Sequence, residues 1–347
     1  MTTRTALAAD VDGALCLAAK MIGFRSLSGR EDGIVSFLHS EFERRTWNPQ
    51  LLPVEGTRSN LFVQFGVPKI VFTTHVDVVP GPEGLFSPRF EEDRLYGRGA
   101  VDAKGIAATM VVVCEQLLKS GATDFGLLLV VGEELDGIGA RAAARALLGR
   151  GIRYIINGEP TEGAAARAHK GGLGFKATYN GKASHSGYPE AGLDANQLAI
   201  EGATRLLGAD YGEDPVLGPA TLSLGRISGG VAGNIISPEA TIEGLVRTVT
   251  PHSAVIQTIK EAASPGTVEV TYDVPPMSLL EIPGLPSAVV AYCCDIQFFA
   301  PLGAEAVLYG PGSILRAHTD TEFISRSEIE GALSGYRHIF ETLRARL

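Results

Sequence analysis

The chain lacks the features that mark several protein classes. Its four cysteines, Cys16, Cys114, Cys293 and Cys294, show no C-x-x-C or zinc-finger spacing. Each sits in an apolar stretch, where cysteine usually acts as a small buried hydrophobe, so a cysteine-held metal site is set aside. No apolar run reaches the length of a membrane span, and the first ten residues lack the apolar region of a signal peptide. Cytoplasm is therefore the expected location, with no membrane partner. Basic charge is also scarce: 30 Lys and Arg stand against 39 Asp and Glu, a net charge of −9. No stripe exists to neutralise phosphates, so no nucleic-acid partner is expected. Internal repeats and low-complexity runs are missing too.

What is present is globular: 45% hydrophobic and 20% charged residues over 347 positions. That length exceeds one ordinary core and predicts two domains. The stretch Val71-Phe-Thr-Thr-His-Val-Asp-Val-Val-Pro80 reads as a buried strand running into polar residues. His75 can offer a ring nitrogen to a metal, and Asp77 can hold the other ring N–H. The same rhythm returns twice. A strand at 125–131 runs into Gly132-Glu133-Glu134, and a strand at 154–157 into Gly158-Glu159-Pro160-Thr161. Helices are expected at 5–22, 31–45, 106–119 and 138–148, the third closed by Gly121. In an open α/β sheet, sites collect at the carboxyl ends of strands, so these polar residues are expected to converge.

The middle of the chain changes rhythm. Strands at 173–179, 220–227, 240–249 and 267–273 and helices at 194–207 and 253–263 give the order β-α-β-β-α-β, a ferredoxin-like module. The fold class expected is α/β: an open-sheet catalytic domain with an inserted ferredoxin-like lid domain. The boundaries are 1–168 and 278–347 for the catalytic domain and 169–277 for the insert, with Pro275-Pro276 as the return hinge. A helix at 285–295, a strand at 306–309 and a terminal helix at 327–346 complete the catalytic domain. The return leg carries Gly310-Pro-Gly-Ser313 and then Ala317-His318-Thr-Asp-Thr-Glu322. His318 follows a strand and precedes a helix, as the earlier candidates do. Gly310–Gly312 lacks the lysine of a P-loop, which argues against a nucleotide site.

Two histidines and several carboxylates at strand ends suit two divalent metal ions, zinc above all, with cobalt or manganese as substitutes. Asp102, Glu134 and Glu159 offset three of four positive charges, and the remainder suits a hydroxide nucleophile. Glu133, left beside the ligands, is placed for general acid–base work. The bland readings are a helix cap for Asp102, a solvated pair for Glu133-Glu134, and a turn residue for Asn234.

Thr74-His75-Val-Asp77, Gly97-Arg-Gly-Ala-Val-Asp102-Ala-Lys-Gly105, Glu133-Glu134, Gly158-Glu159-Pro-Thr161, Ser184-His-Ser-Gly-Tyr-Pro189 and Ala317-His318-Thr together resemble the M20 metallopeptidase family. The resemblance spans nearly the whole chain. It implies that His75 and Glu159 bind one metal, Glu134 and His318 the other, and that Asp102 bridges. It implies Glu133 as general base, Asp77 as partner of His75, and His185 as a lid histidine that stabilises the tetrahedral intermediate, from the partner subunit in dimeric members. Asn234, Arg247 and Gly312 match positions that face the substrate. The ending looks most like the acetylornithine and acetylcitrulline deacetylase branch, which implies deacetylation of N-acetylornithine or N-acetylcitrulline in arginine biosynthesis by a homodimer joined through the lid. The rivals are another family member (a dipeptidase, aminopeptidase, aminoacylase or succinyl-diaminopimelate desuccinylase) and a non-catalytic binding protein on the same scaffold.

Overall fold

The computed structural model describes residues 3–347 and divides into two compact units. The first runs to Arg167 and resumes with Leu279–Ala288 and Cys294–Leu347; the second is Ala168–Ser278 with Val289–Cys293.

In the first unit, strands Gln50–Glu55, Arg58–Gly66, Asp124–Val130, Ile70–His75, Tyr154–Asn157 and Glu305–Leu308 lie side by side in that order. The last four are mutually parallel, while Arg58–Gly66 runs antiparallel to both its neighbours. Alternation along the strands splits the core in two. Ile70, Phe72, Leu127 and Leu129 face a cluster with helices Thr3–Ile22, Lys104–Lys119 and Arg326–Arg344. Val71, Leu128 and Val130 face the alanine-rich helix Ile138–Leu147. Register fixes where each strand delivers its next residue. His75 pairs with Val130, Thr73 with Asn157, and Leu308 with Asn157. The residues just beyond these positions therefore emerge at one edge. Helix Lys104–Lys119 is buried along most of its length and is capped by Ser120, with Gly121 next at φ +84°.

One expected element is different. The stretch 285–295 is no helix: Ser287–Val290 is a strand, and a 3-10 helix comes after it at Asp295–Leu302. Pro286 biases its predecessor away from helical geometry, and Val289-Val290 are stiff β-branched residues that favour extended chain. Strands Gln50–Glu55 and Ala165–His169 are additions to the expected set.

The second unit is an antiparallel sheet in the order Thr221–Gly229, Glu239–Arg247, Gly172–Asn180, Thr267–Val274. Helices Ala195–Gly208 and His252–Ala263 pack over Leu173, Phe175, Ala177 and Tyr179. Strand–helix–strand–strand–helix–strand is the ferredoxin-like order expected.

Candidate metal centre

His75 ends its strand fully buried, with Nε2 2.9 Å from Asp102 Oδ1. Asp102 lies at the close of the glycine-bearing turn 97–103, and its other oxygen, Oδ2, stands 3.4 Å from His318 Nε2. His318 Nε2 also reaches Glu134 Oε1 at 3.1 Å. Ligand-capable atoms of His75, Asp102 and Glu159 all lie within 4.8 Å of one another, as do those of Asp102, Glu134 and His318. The two groups share Asp102. The structure thus brings together all five residues expected to ligate, in the grouping that the resemblance implies.

Electrostatics shows how crowded this edge is. Burial disfavours charge on His75, but its hydrogen bonds to Asp102 and Asp77 outweigh that and hold its pKa well above the ordinary value. Burial likewise pushes the Asp102 carboxyl up, yet His318 and His75 more than reverse this and its pKa falls. His318 rises to about 10 beside Asp102 and Glu134. Glu159 is pushed well above the carboxylate range by burial and by neighbouring carboxylates that outweigh His75. Glu133 moves the same way, through burial first and then Glu159, Asp295 and Glu134. Four acidic groups and two histidines packed this closely form a donor set that cations would relieve, and imidazole plus carboxylate suits zinc-like ions. The side chains present fit two divalent metal ions.

Asp77 plays a wider part than its spacing from His75 suggests. The acceptor nearest His75 Nδ1 is the Asp77 backbone carbonyl at 3.0 Å, with carboxylate Oδ1 at 3.6 Å. The strand ends at His75, so the Asp77 side chain turns toward the next loop. There it accepts from Glu133 N at 3.2 Å, Glu134 N at 3.1 Å and Ser28 Oγ at 2.7 Å. One buried carboxylate therefore anchors both acidic residues of the Glu133-Glu134 pair.

Glu322 belongs to the site although its sequence position assigns it no role. Its Oε1 accepts from the backbone N–H groups of Gly99 at 2.9 Å, Val101 at 3.1 Å and Asp102 at 3.2 Å. Its Oε2 accepts from Arg98 Nη1 at 2.6 Å. Burial and nearby Asp102 raise its pKa to about 7. The available signal is the turn Gly97-Arg-Gly99, whose buried N–H groups need an acceptor. Asp295 is a second residue that sequence reasoning missed. It is buried, Oδ2 has no hydrogen-bond partner, and its pKa is raised to about 7, first by burial.

Gly312, at φ +79°, also lies in the first unit, and its carbonyl accepts from Glu162 N at 2.8 Å. A Cβ there would stand 2.2 Å from Val101 Cγ2, and one at Gly310 would stand 2.4 Å from the Glu159 carbonyl. The glycines let this loop lie against the segments that carry Asp102 and Glu159. The remaining candidates lie in the second unit. His185 is exposed, its Nδ1 accepting from Gly187 N at 3.0 Å. Asn234 is exposed, its backbone carbonyl accepting from Ser186 N. Arg247 is half-buried at the end of its strand.

Residues 71–342 match the family model described as Peptidase family M20/M25/M40. A peptidase M20 domain-containing protein of Schizosaccharomyces pombe is 33% identical over 345 residues, covering 94% of this chain and 84% of that protein. A probable carboxypeptidase of Aspergillus terreus is 34% identical over 366 residues, covering 92% of this chain and 84% of that protein. The fold is similar to the crystal structure of an M20 family metallo-carboxypeptidase from Sulfolobus solfataricus, with TM-score 0.79 and 16% identity over 95% of this chain and 98% of that one. These relatives carry peptidase and carboxypeptidase names, not the deacetylase name expected from the ending of the sequence. A family model spanning most of the chain, and relatives a third identical over nearly all of it, show that the chain belongs to Peptidase family M20/M25/M40.

Proposed function

We propose that this protein hydrolyses the amide bond of N-acyl-L-amino acids in a metal-dependent reaction. The observation that carries this reading is the pair of ligand clusters sharing Asp102, with Glu133 beside them and outside both. His75, Asp102 and Glu159 would hold one ion, and Asp102, Glu134 and His318 the other. Two divalent ions held there, zinc or its substitutes cobalt and manganese, would supply Lewis-acid polarisation of the scissile carbonyl and a more acidic water. Glu133 accepts the proton of the attacking water and passes it to the departing amine. Asp77 keeps Glu133 in place through the loop amide. His185 steadies the negative charge that develops on the reacting oxygen. Asn234 and Arg247 receive the α-carboxylate, Gly312 offers its backbone to the substrate, and the second unit serves as lid and as dimerisation surface.

Two substrate classes fit. The resemblance of the chain's ending favours N-acetylornithine or N-acetylcitrulline. The names of the relatives favour a short peptide cleaved at its C-terminal residue, which is also an acyl group joined to an amino acid with a free carboxylate. Initial rates on metal-replete protein separate them, with N-acetyl-L-ornithine, N-acetyl-L-citrulline, N-succinyl-diaminopimelate and a dipeptide at equal concentration. Preference for an acetylated amino acid supports the deacetylase, and preference for the dipeptide supports the carboxypeptidase. No turnover of any, with two metals confirmed bound, overturns the catalytic reading in favour of a binding protein.

A further inference from the structure

Arg247 is the exception among the arginines. Among the described residues, every other arginine that is partly or fully buried pairs with a carboxylate. Arg45 meets Glu41 and Glu115, Arg58 meets Glu31, Arg98 meets Glu322, Arg316 meets Glu328, and Arg326 meets Asp12. Arg247 instead donates from Nη1 to the Cys293 sulfur at 3.4 Å. On that same sulfur sits the Tyr272 hydroxyl at 3.3 Å. A thiol is a weak, neutral acceptor, so it steadies one edge of the guanidinium without neutralising it or filling its fork of donors. A carboxylate at that position would do both.

The backbone is shaped for this contact. Strand Thr267–Val274 shifts register between Val270 and Tyr272 against Gly172–Asn180, which re-aims the tyrosine. A Cβ at Gly172 would stand 2.8 Å from the Tyr272 ring and 3.4 Å from the Cys293 sulfur. The glycine of Lys170-Gly171-Gly172 thereby leaves room for both side chains.

We infer that Cys293 and Tyr272 are positioning residues for Arg247, holding one edge of its guanidinium so that the other stays open to the substrate's α-carboxylate. The inference rests on the carboxylate-binding role proposed for Arg247. It is tested with two readouts on the metal-loaded enzyme: the KM and kcat of a substrate with a free carboxylate, and the inhibition constant of the same compound as its carboxamide. Cys293→Ala and Tyr272→Phe should each raise KM about fivefold, with kcat and the carboxamide constant unmoved. Cys293→Ser should recover part of the loss, because a hydroxyl can also accept. In an Arg247→Ala background, Cys293→Ala should add nothing. An unchanged KM in Cys293→Ala, alongside a raised KM in Arg247→Ala, overturns the brace and leaves the role of Arg247 standing. KM and carboxamide constant rising together mark general damage and overturn it as well. If Arg247→Ala itself leaves the two constants in their native ratio, the role of Arg247 fails and the brace fails with it.

Discussion

The turn that carries Asp102 and the turn that carries His185 are built in opposite ways. The first is buried, and one carboxylate, Glu322, gathers three of its backbone N–H groups and the Arg98 guanidinium. The second is exposed and held mainly by backbone bonds, among them Ser186 N to Asn234 O and Ile236 N to Ser184 O. A residue proposed as a metal ligand must stand in place before the ion arrives, because two ions that shared one carboxylate would tolerate little error. A group proposed to meet a substrate only during the reaction, as His185 is, carries no such demand. Burial and side-chain hydrogen bonding are concentrated where charge is concentrated.

The contrast is most vulnerable at Glu133, which shares the charged edge but is assigned to neither ion. Glu133→Gln should keep both metals by elemental analysis and lose activity by about a thousandfold. Near-normal turnover would remove the proton-transfer role. A loss of metal along with activity would instead make Glu133 a ligand and blur the distinction between it and Glu134.

His185 tests the exposed side. His185→Ala should lower kcat by about a hundredfold while leaving metal content and thermal stability unchanged, since the contacts of its ring are local, a bond from Gly187 N and an edge contact with the Tyr188 ring. A large fall in stability would show that the turn is structural and that its exposure misleads.

Glu322→Gln addresses the buried side directly. The amide keeps one acceptor oxygen but loses the charge facing Arg98 and the loop amides. Metal affinity measured by calorimetry should drop about 10- to 100-fold, with a smaller effect on kcat once metal is saturating. Unchanged affinity would mean that Glu322 staples the fold without orienting Asp102.

The contrast also explains what can be read from the sequence. The strand-end residues are legible because parallel strands in register deliver their next residues to one edge, and periodicity reveals strands. His75, Glu133, Glu134, Glu159 and His318 each carry that positional signal. Glu322 carries none, since its partners, three backbone amides and the Arg98 guanidinium, lie more than two hundred positions earlier in the chain. Arg247 and Cys293 are 46 residues apart, and no periodicity links them. The stretch 285–295 misleads because its apolar residues suit either period. Only Pro286 and the valine pair argue for extended chain, and packing decides the matter in their favour.

The smallest effect expected lies in the second unit, at a histidine with no part in the chemistry. His169 is fully buried, its Nδ1 lies 2.9 Å from the Lys170 carbonyl, and Nε2 has no partner. Burial lowers its pKa, and the carbonyl only partly offsets this. The unfolded chain then takes up a proton that the folded chain resists. Stability from this group is complete above the ordinary histidine value and is lost as the pH falls below it, by at most about 1.4 kcal/mol per pH unit for one proton. His169→Gln should flatten the acid side of the stability profile measured by urea unfolding between about pH 6.5 and 5, while changing neutral stability little. A slope equal to that of the native protein would place the titration elsewhere.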